Sequence, residues 1–237
     1  MSEVIHWTAA EVLPDRQPVL ELIGVPDGGS VPQHIESLYE GALQVLAESA
    51  APAGIVADIA RREFEEVYAG EGRNDPRTPV ADILPNADRL ALFTVTLGED
   101  TSAAITKCFA SHDFALGSML DAAASVAVDR AADLVERRYE HELCAAGWEA
   151  PPGAVLRYSP GYCGWHVSGQ RRLFDHLKPE RIGVTLRSSF LMEPLKSTSG
   201  VLIAAHRDAH AFAPTYSFCS HCESKGCRQR IRALLAR

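Results

Sequence analysis

The chain has 237 residues, a mass of 25.7 kDa and a formal net charge of −8. Its acidic balance excludes a binder of phosphate backbones, which needs a Lys/Arg surplus on one face. No apolar run reaches the roughly 20 residues that cross a bilayer, so neither nucleic acid nor membrane is an expected partner. A hydrophobic content of 46% with 23% charged residues is that of a globular protein, long enough for one large domain or two small ones. The opening Ser2-Glu3-Val4-Ile5-His6-Trp7 lacks the basic start and apolar centre of a secretory signal. The expected location is therefore the cytoplasm, where the six cysteines are thiols or metal ligands in preference to disulfides.

In chain order, residues 1 to 30 are expected as a short strand or two and a Gly-rich turn, with Val19-Leu-Glu-Leu-Ile23 as an apolar strand. From Pro32 to Ala50 the apolar residues Ile35, Leu38, Tyr39, Ala42, Leu43, Val45 and Leu46 recur at helical spacing, with Ser30 as the N-cap. A second helix is predicted from Gly54 to Tyr68, carrying Ile55, Ile59, Phe64 and Val67 on one stripe. Gly70-Glu-Gly-Arg-Asn-Asp-Pro76 breaks it. Leu90 to Leu97 is nearly all apolar, the pattern of a strand buried on both faces. Helix follows from Thr101 to about Cys144, and after Pro151-Pro152-Gly153 short strands and loops run to about Phe212. The class is α+β, with a helical front half and a sheet-rich back half. Three segments are expected: residues 1–84, a strand and helical region packed on the main domain; a core at 85–212; and a Cys-rich tail at 213–237.

One stretch points at a chemistry. Arg157-Tyr-Ser-Pro-Gly161-Tyr162-Cys163-Gly164-Trp165 places a cation ahead of a Pro-Gly-Tyr turn, where Gly161 allows close backbone approach and Tyr162 offers a ring and a hydroxyl. Downstream come Ile182-Gly-Val-Thr-Leu-Arg-Ser188-Ser-Phe-Leu-Met192-Glu-Pro194 and Ser197-Thr-Ser199-Gly200. The ordered series R-x-x-x-G-Y, I-G-V-x-L-x-x-S-x-x-M-x-P and S-x-S-G resembles the activation domain of cobalamin-dependent methionine synthase. Ala91-Leu-Phe-Thr-Val-Thr-Leu97-Gly98 and Met119-Leu-Asp121-Ala-x-x-Ser125 extend the resemblance to about residues 85–212.

The resemblance implies a helix-flanked, largely antiparallel sheet that binds S-adenosylmethionine and presents its methyl group to an oxidised corrinoid during reductive repair. The implied ligand residues are Arg157, Gly161, Tyr162, Trp165, Ser197, Ser199 and Gly200, with Arg157 on the donor's carboxylate. The chain departs from the family pattern in several places. Cys163-Gly164-Trp165-His166 stands where the family has a proline and a short Pro/Cys stretch, Ser188 where it has an acid, and Leu202 where it has an aromatic; the acid expected ahead of the Arg falls near Pro151.

The tail carries a second signal, Cys219-Ser-His221-Cys222-Glu-Ser-Lys-Gly226-Cys227. Cys-x₂-Cys puts two sulfurs on one turn, and the Gly-containing spacer lets a third swing in. Cys219, Cys222 and Cys227 are expected to ligate a metal, with Cys163 as the fourth ligand and His221 as the second choice. Donor type suits a [4Fe–4S] cluster and zinc about equally, and a carrier of single electrons beside a reductive site favours the cluster. Cys108 and Cys144, in helical sequence, are expected as small buried residues.

Plain structural roles stand beside these. Arg157 could pair with a carboxylate, Tyr162 and Trp165 could plug a core, Met192 fills a gap, and Ser197-Thr-Ser199-Gly200 could be a hydroxyl-bonded turn. Asp208-Ala-His210-Ala-Phe-Ala213 begins like the D-x-H-x-x-G of cobalamin modules but lacks its glycine. The corrinoid would therefore sit on a partner, a corrinoid-binding protein or split methionine synthase, and the chain would be a methyltransferase component. The rival expectations are an iron–sulfur electron-transfer protein for corrinoid reduction on the same scaffold and a structural zinc module for assembly.

Overall fold

The computed structural model describes residues 2–25, 31–149, 154–210 and 216. Its centre is an antiparallel sheet of five strands, β1 (Ser2–His6), β2 (Ala53–Asp58), β3 (Ala87–Thr96), β4 (Val155–Tyr158) and, last in the chain, β7 (Ser197–Ala205). They lie in the order β1-β2-β3-β7-β4. The two-residue strands β5 (Thr185–Leu186) and β6 (Met192–Glu193) pair separately as a small ribbon.

Helices cover both faces. On one lie α1 (Ala9–Val12), α2 (Arg16–Leu22), α3 (Gln33–Ser49), α6 (Glu99–Ala110) and the long α7 (Phe114–Ala145). On the other lie α4 (Arg61–Ala69), α5 (Pro79–Ile83) and α8 (Gly169–Leu177). Strand alternation feeds the two cores: Ala91, Phe93 and Val95 of β3 pack toward α7, while Leu90 and Leu92 pack toward α8. This explains the unbroken apolar run of β3, which is buried on both faces as its sequence predicts. The alanines of α7, among them Ala123, Ala124, Ala127, Ala131 and Ala132, are buried and let this helix lie close along the sheet.

Several expectations need correcting. Val19–Ile23 lies mainly in helix α2, with Val19 and Leu20 buried in the α7-side core; five apolar residues cannot by themselves distinguish strand from helix. The helix predicted from Gly54 to Tyr68 is a strand followed by a helix. Ile55 and Ala57 belong to β2, and α4 begins only at Arg61, where the Glu63 carboxylate accepts the Ala60 N–H at 3.1 Å. Isoleucines four residues apart mimicked a helical stripe, yet they sit on either side of the strand's end. The α3 helix holds as predicted, but its N-cap position is Pro32, and Ser30 lies outside the described residues. The helix from Thr101 to Cys144 is divided at Ser111–Asp113, where His112 takes φ 62° and the Asp113 carboxylate caps α7 by accepting the Leu116 N–H.

The front half is also not purely helical. β1 pairs in register with β2, and β2 with β3, so strands from before and after residue 84 share one sheet. Cys144 is exposed and Cys108 half-buried, against the expectation that both are buried. His112 and His176 lie at the surface. The antiparallel sheet flanked by helices is the architecture that the resemblance implies. Among the described residues, no helix is long and apolar enough to cross a membrane.

Candidate functional site

Among the described residues β4 is an edge strand that pairs with β7 alone, and its alternation decides where Arg157 points. Leu156 and Tyr158 pack into the α8-side core and Val155 into the α7-side core, so Arg157 is directed at α7. There its guanidinium is 8% exposed and ion-paired through Nη1 with Asp133 and, at 3.4 Å, with Glu136. The Glu136 carboxylate also accepts the Arg157 backbone N–H at 3.1 Å, and Glu140 accepts the backbone N–H of Ala154 at 3.2 Å. Burial alone would lower the Arg157 pKa, but Glu136, Asp133 and Asp129 outweigh it and hold the pKa above its ordinary value. Asp129, Asp133, Glu136 and Glu140 recur every three or four residues, one face of a helix. The surroundings of Arg157 are therefore net negative.

Beyond Tyr158 the chain turns through a tight loop. The Gly161 N–H donates to the Trp165 carbonyl at 2.7 Å and the Trp165 N–H to the Tyr162 carbonyl at 3.0 Å. Gly161, Cys163 and Gly164 all take positive φ, which costs glycine little and Cys163 more. Tyr162 stands out at 57% exposure. Trp165 does the opposite: it is 1% exposed and packs edge-on against Phe64 and tilted against Tyr68 of α4. It plugs the core beneath the loop and walls no surface. Nearby, the backbone N–H of Ser168 donates to Nδ1 of half-buried His166 at 3.1 Å, which leaves Nε2 to carry the ring proton.

The Ser197–Gly200 motif lies elsewhere. In β7, Ser197 and Ser199 stand opposite Thr96 and Thr94 of β3, on the face that packs toward α8. The Ser197 hydroxyl donates to the Pro194 carbonyl at 2.7 Å and lies 2.8 Å from Thr96 Oγ1. The Ser199 and Thr94 hydroxyls are buried together. These serines and Arg157 are thus on opposite faces of one sheet, and the structure does not bring them together. Gly200 has a packing reason: a Cβ there would lie 2.2 Å from the Tyr158 carbonyl oxygen and 3.0 Å from Ser159 Oγ. The polar residues of the Met119–Ser125 stretch also have a local task. Lys196 donates to the Ser125 hydroxyl at 2.9 Å and pairs with the Asp121 carboxylate at 2.8 Å, fixing the start of β7 on α7.

Comparison with known proteins identifies the family and the fold. Residues 71–216 match the family model described as vitamin B12 dependent methionine synthase, activation domain. That is well over half of the chain. It belongs to the activation-domain family. Among solved structures, the crystal structure titled MetH Reactivation Domain bound to AdoHcy superposes with a TM-score of 0.59 at 17% identity, covering 99% of this chain and 89% of that one. No curated protein matches.

In this activation-domain chain, the feature that motif reading missed is the acidic row of α7. Its three- and four-residue spacing was visible, but only the fold shows that it faces Arg157. Of the four expected metal ligands, Cys163 is half-buried in the loop, and Cys219, Cys222 and Cys227 lie outside the described residues, as does the second-choice ligand His221. Among the described residues, no cluster of three His, Cys, Asp or Glu side chains could hold a metal.

Proposed function

We propose that this chain binds S-adenosylmethionine beside β4 and presents its methyl group to a corrinoid carried by a partner protein, as the donor half of reductive reactivation. The observation that carries the reading is an Arg157–Tyr162 loop of the activation-domain family set against a carboxylate-rich helix face. The donor is a zwitterion with a sulfonium: one carboxylate and two positive charges. Arg157 would meet the carboxylate, and the surplus acids of α7 would favour the ammonium and sulfonium. Tyr162, exposed at the mouth of the loop, would pack on the adenosine part.

A corrinoid on the partner, once reduced by one electron from a separate donor, would supply the nucleophile for the methyl group, and S-adenosylhomocysteine would be the group that leaves this chain's site. The protein's contribution is orientation and exclusion of water. A neighbour solved with AdoHcy supports a ligand of this class.

Isothermal titration with S-adenosylmethionine and S-adenosylhomocysteine tests the proposal. Saturable binding of one molecule per chain is expected, weakened in Asp133→Asn and Arg157→Ala. Absence of heat with both ligands, at protein concentrations well above micromolar, would refute it. Gel filtration with hydroxocobalamin alone should show no stoichiometric co-elution, since the corrinoid is the partner's.

A further inference from the structure

We infer that the cleft between the end of β2, the start of β3 and the last turns of α7 binds a small zwitterion, a free amino acid with an apolar side chain. The inference goes beyond methyl-donor binding and does not depend on it.

The cleft encloses about 400 Å³, within the range of small-molecule sites. Its place follows from the sheet. β2 ends at Asp58 and the chain turns into α4, while β3 has just begun; the Ile59 N–H donates to the Leu90 carbonyl at 3.0 Å and keeps the two segments together. Ile59, Leu90 and, from α7, Leu143 supply the apolar part of the wall. Asp58, Arg61, Asp88 and Arg89 supply the charged part.

How these charges are held is the observation that carries the inference. Opposite charges around one concave surface ordinarily neutralise each other, yet here a neutral group fixes each of them. The Tyr139 hydroxyl donates to the Asp58 carboxylate at 3.1 Å, and the Trp148 indole N–H donates to Asp88 at 3.2 Å. Arg61 donates to the Pro85 carbonyl at 3.1 Å and to the Ala87 carbonyl at 2.8 Å, and Arg89 to the Asp88 carbonyl at 2.9 Å. None of the four makes an ion pair among the described residues. Burial, and then the charge of Asp58, hold the Tyr139 pKa above its ordinary value, so its hydroxyl stays a donor.

Two carboxylates and two guanidiniums sum to zero, so a lone anion or a lone cation meets as much repulsion as attraction. A zwitterion answers both signs, its ammonium meeting Asp58 or Asp88 and its carboxylate Arg89 or Arg61 in charge-assisted bonds. Groups already held in place lower the ordering cost of binding. The apolar wall then favours an uncharged side chain. This cleft is separate from the Arg157 site. Asp58 stands opposite Ala91, Ala91 opposite Leu202 and Leu202 opposite Arg157, so three strand spacings, about 14 Å, lie between them.

The test is a nuclear magnetic resonance titration of the full chain with L-leucine, L-methionine and L-phenylalanine. At least one should shift the backbone amides of Ile59, Arg61, Arg89 and Leu90 to saturation. The N-acetyl derivative of the binder lacks the ammonium and its amino alcohol lacks the carboxylate; each should bind about tenfold more weakly or worse. Asp58→Asn and Arg89→Ala should each cost about tenfold as well. Both side chains are exposed, so the fold should survive, with circular dichroism as the check.

No saturable shift at millimolar amino acid, shifts confined to other parts of the chain, derivatives that bind as well as the parent, or variants that bind as well as the wild type would each overturn the inference. S-adenosylmethionine carries a zwitterionic end of its own but is expected beside β4, so it should leave the cleft amides unmoved. If it shifts them and displaces the amino acid, the zwitterion site stands and the placement of the methyl donor beside Arg157 falls.

Discussion

Truncating Arg157 should destabilise the fold well before any ligand is considered. In Arg157→Ala, Asp133 loses a partner but is 45% exposed, so water recovers most of that loss and the cost is at most about 1 kcal/mol. Glu136 is only 18% exposed and would be left with a largely buried charge. Breaking such a pair costs about 3–5 kcal/mol, and the lower end applies because the backbone N–H at position 157 survives as a donor to the same carboxylate. The total is about 3–4 kcal/mol. At about 2–4 °C per kcal/mol for a chain of this size, Tm should fall by about 6–16 °C. The assay is urea unfolding followed by circular dichroism and tryptophan fluorescence, with coincidence of the two probes as the check on two-state behaviour. Adding Glu136→Gln should recover part of the loss, with a coupling of about 1.5 kcal/mol or more. A cost below about 1 kcal/mol, or a strictly additive double variant, would mean that this ion pair is not the buried element described above.

Other perturbations probe different parts of the fold. Gly200→Ala should lower stability by about 3 kcal/mol or more in the same unfolding assay, because the new methyl meets backbone at 2.2 Å and the β4–β7 pair must part to admit it; an unchanged midpoint would contradict the strand register. Tyr162→Ala should leave the midpoint within about 0.5 kcal/mol yet weaken S-adenosylmethionine binding about tenfold by titration, the scale of a lost aromatic stack. His210 is fully buried, its Nε2–H donating to the Ala154 carbonyl and its Nδ1 accepting from the Tyr158 hydroxyl, and burial holds its pKa below the ordinary value. The unfolded chain therefore binds this proton first as pH falls below about 6.5. Stability should decline from there down to the lower folded-state value, and His210→Gln should flatten that decline in unfolding curves measured across the window.

What was legible in the chain followed from how local each signal was. The β3 run announced a central strand because burial on both faces leaves no polar position to confuse the pattern. Ala122 to Glu136 read as helix because small residues and helix formers repeat without interruption. Ile55 and Ile59 misled because a strand that ends just before a helix places apolar residues at a helical interval by accident. Val19 to Ile23 misled because a short apolar run fits either periodicity. For the family, the order of three motifs was enough to point to the activation domain, and it singled out Arg157 and Tyr162 as the residues to test. No motif could report that Ser197 and Ser199 face the opposite core, since that depends on the β3–β7 register across about a hundred residues of chain. The acidic partners of Arg157 were hidden for the same reason: a charged row on a helix is usually a solvated face, and only the placement of β4 sets Arg157 against it.

The position of β7 in the sheet also governs how the molecule is made. β3 has β2 on one side, close in sequence, but its other side is completed only by residues 197–205. During synthesis, the first half of the chain can assemble β1, β2, β3 and their helices while the far edge of β3 stays unpaired, and that strand is apolar from Leu90 to Phe93. Closure of so distant a contact carries a large loop entropy and is slow. A nascent or truncated chain that stops short of β7 therefore presents an open, sticky strand of the kind that recruits chaperones or joins its own copies. A strand translated about a hundred residues later is the one that makes β3 safe.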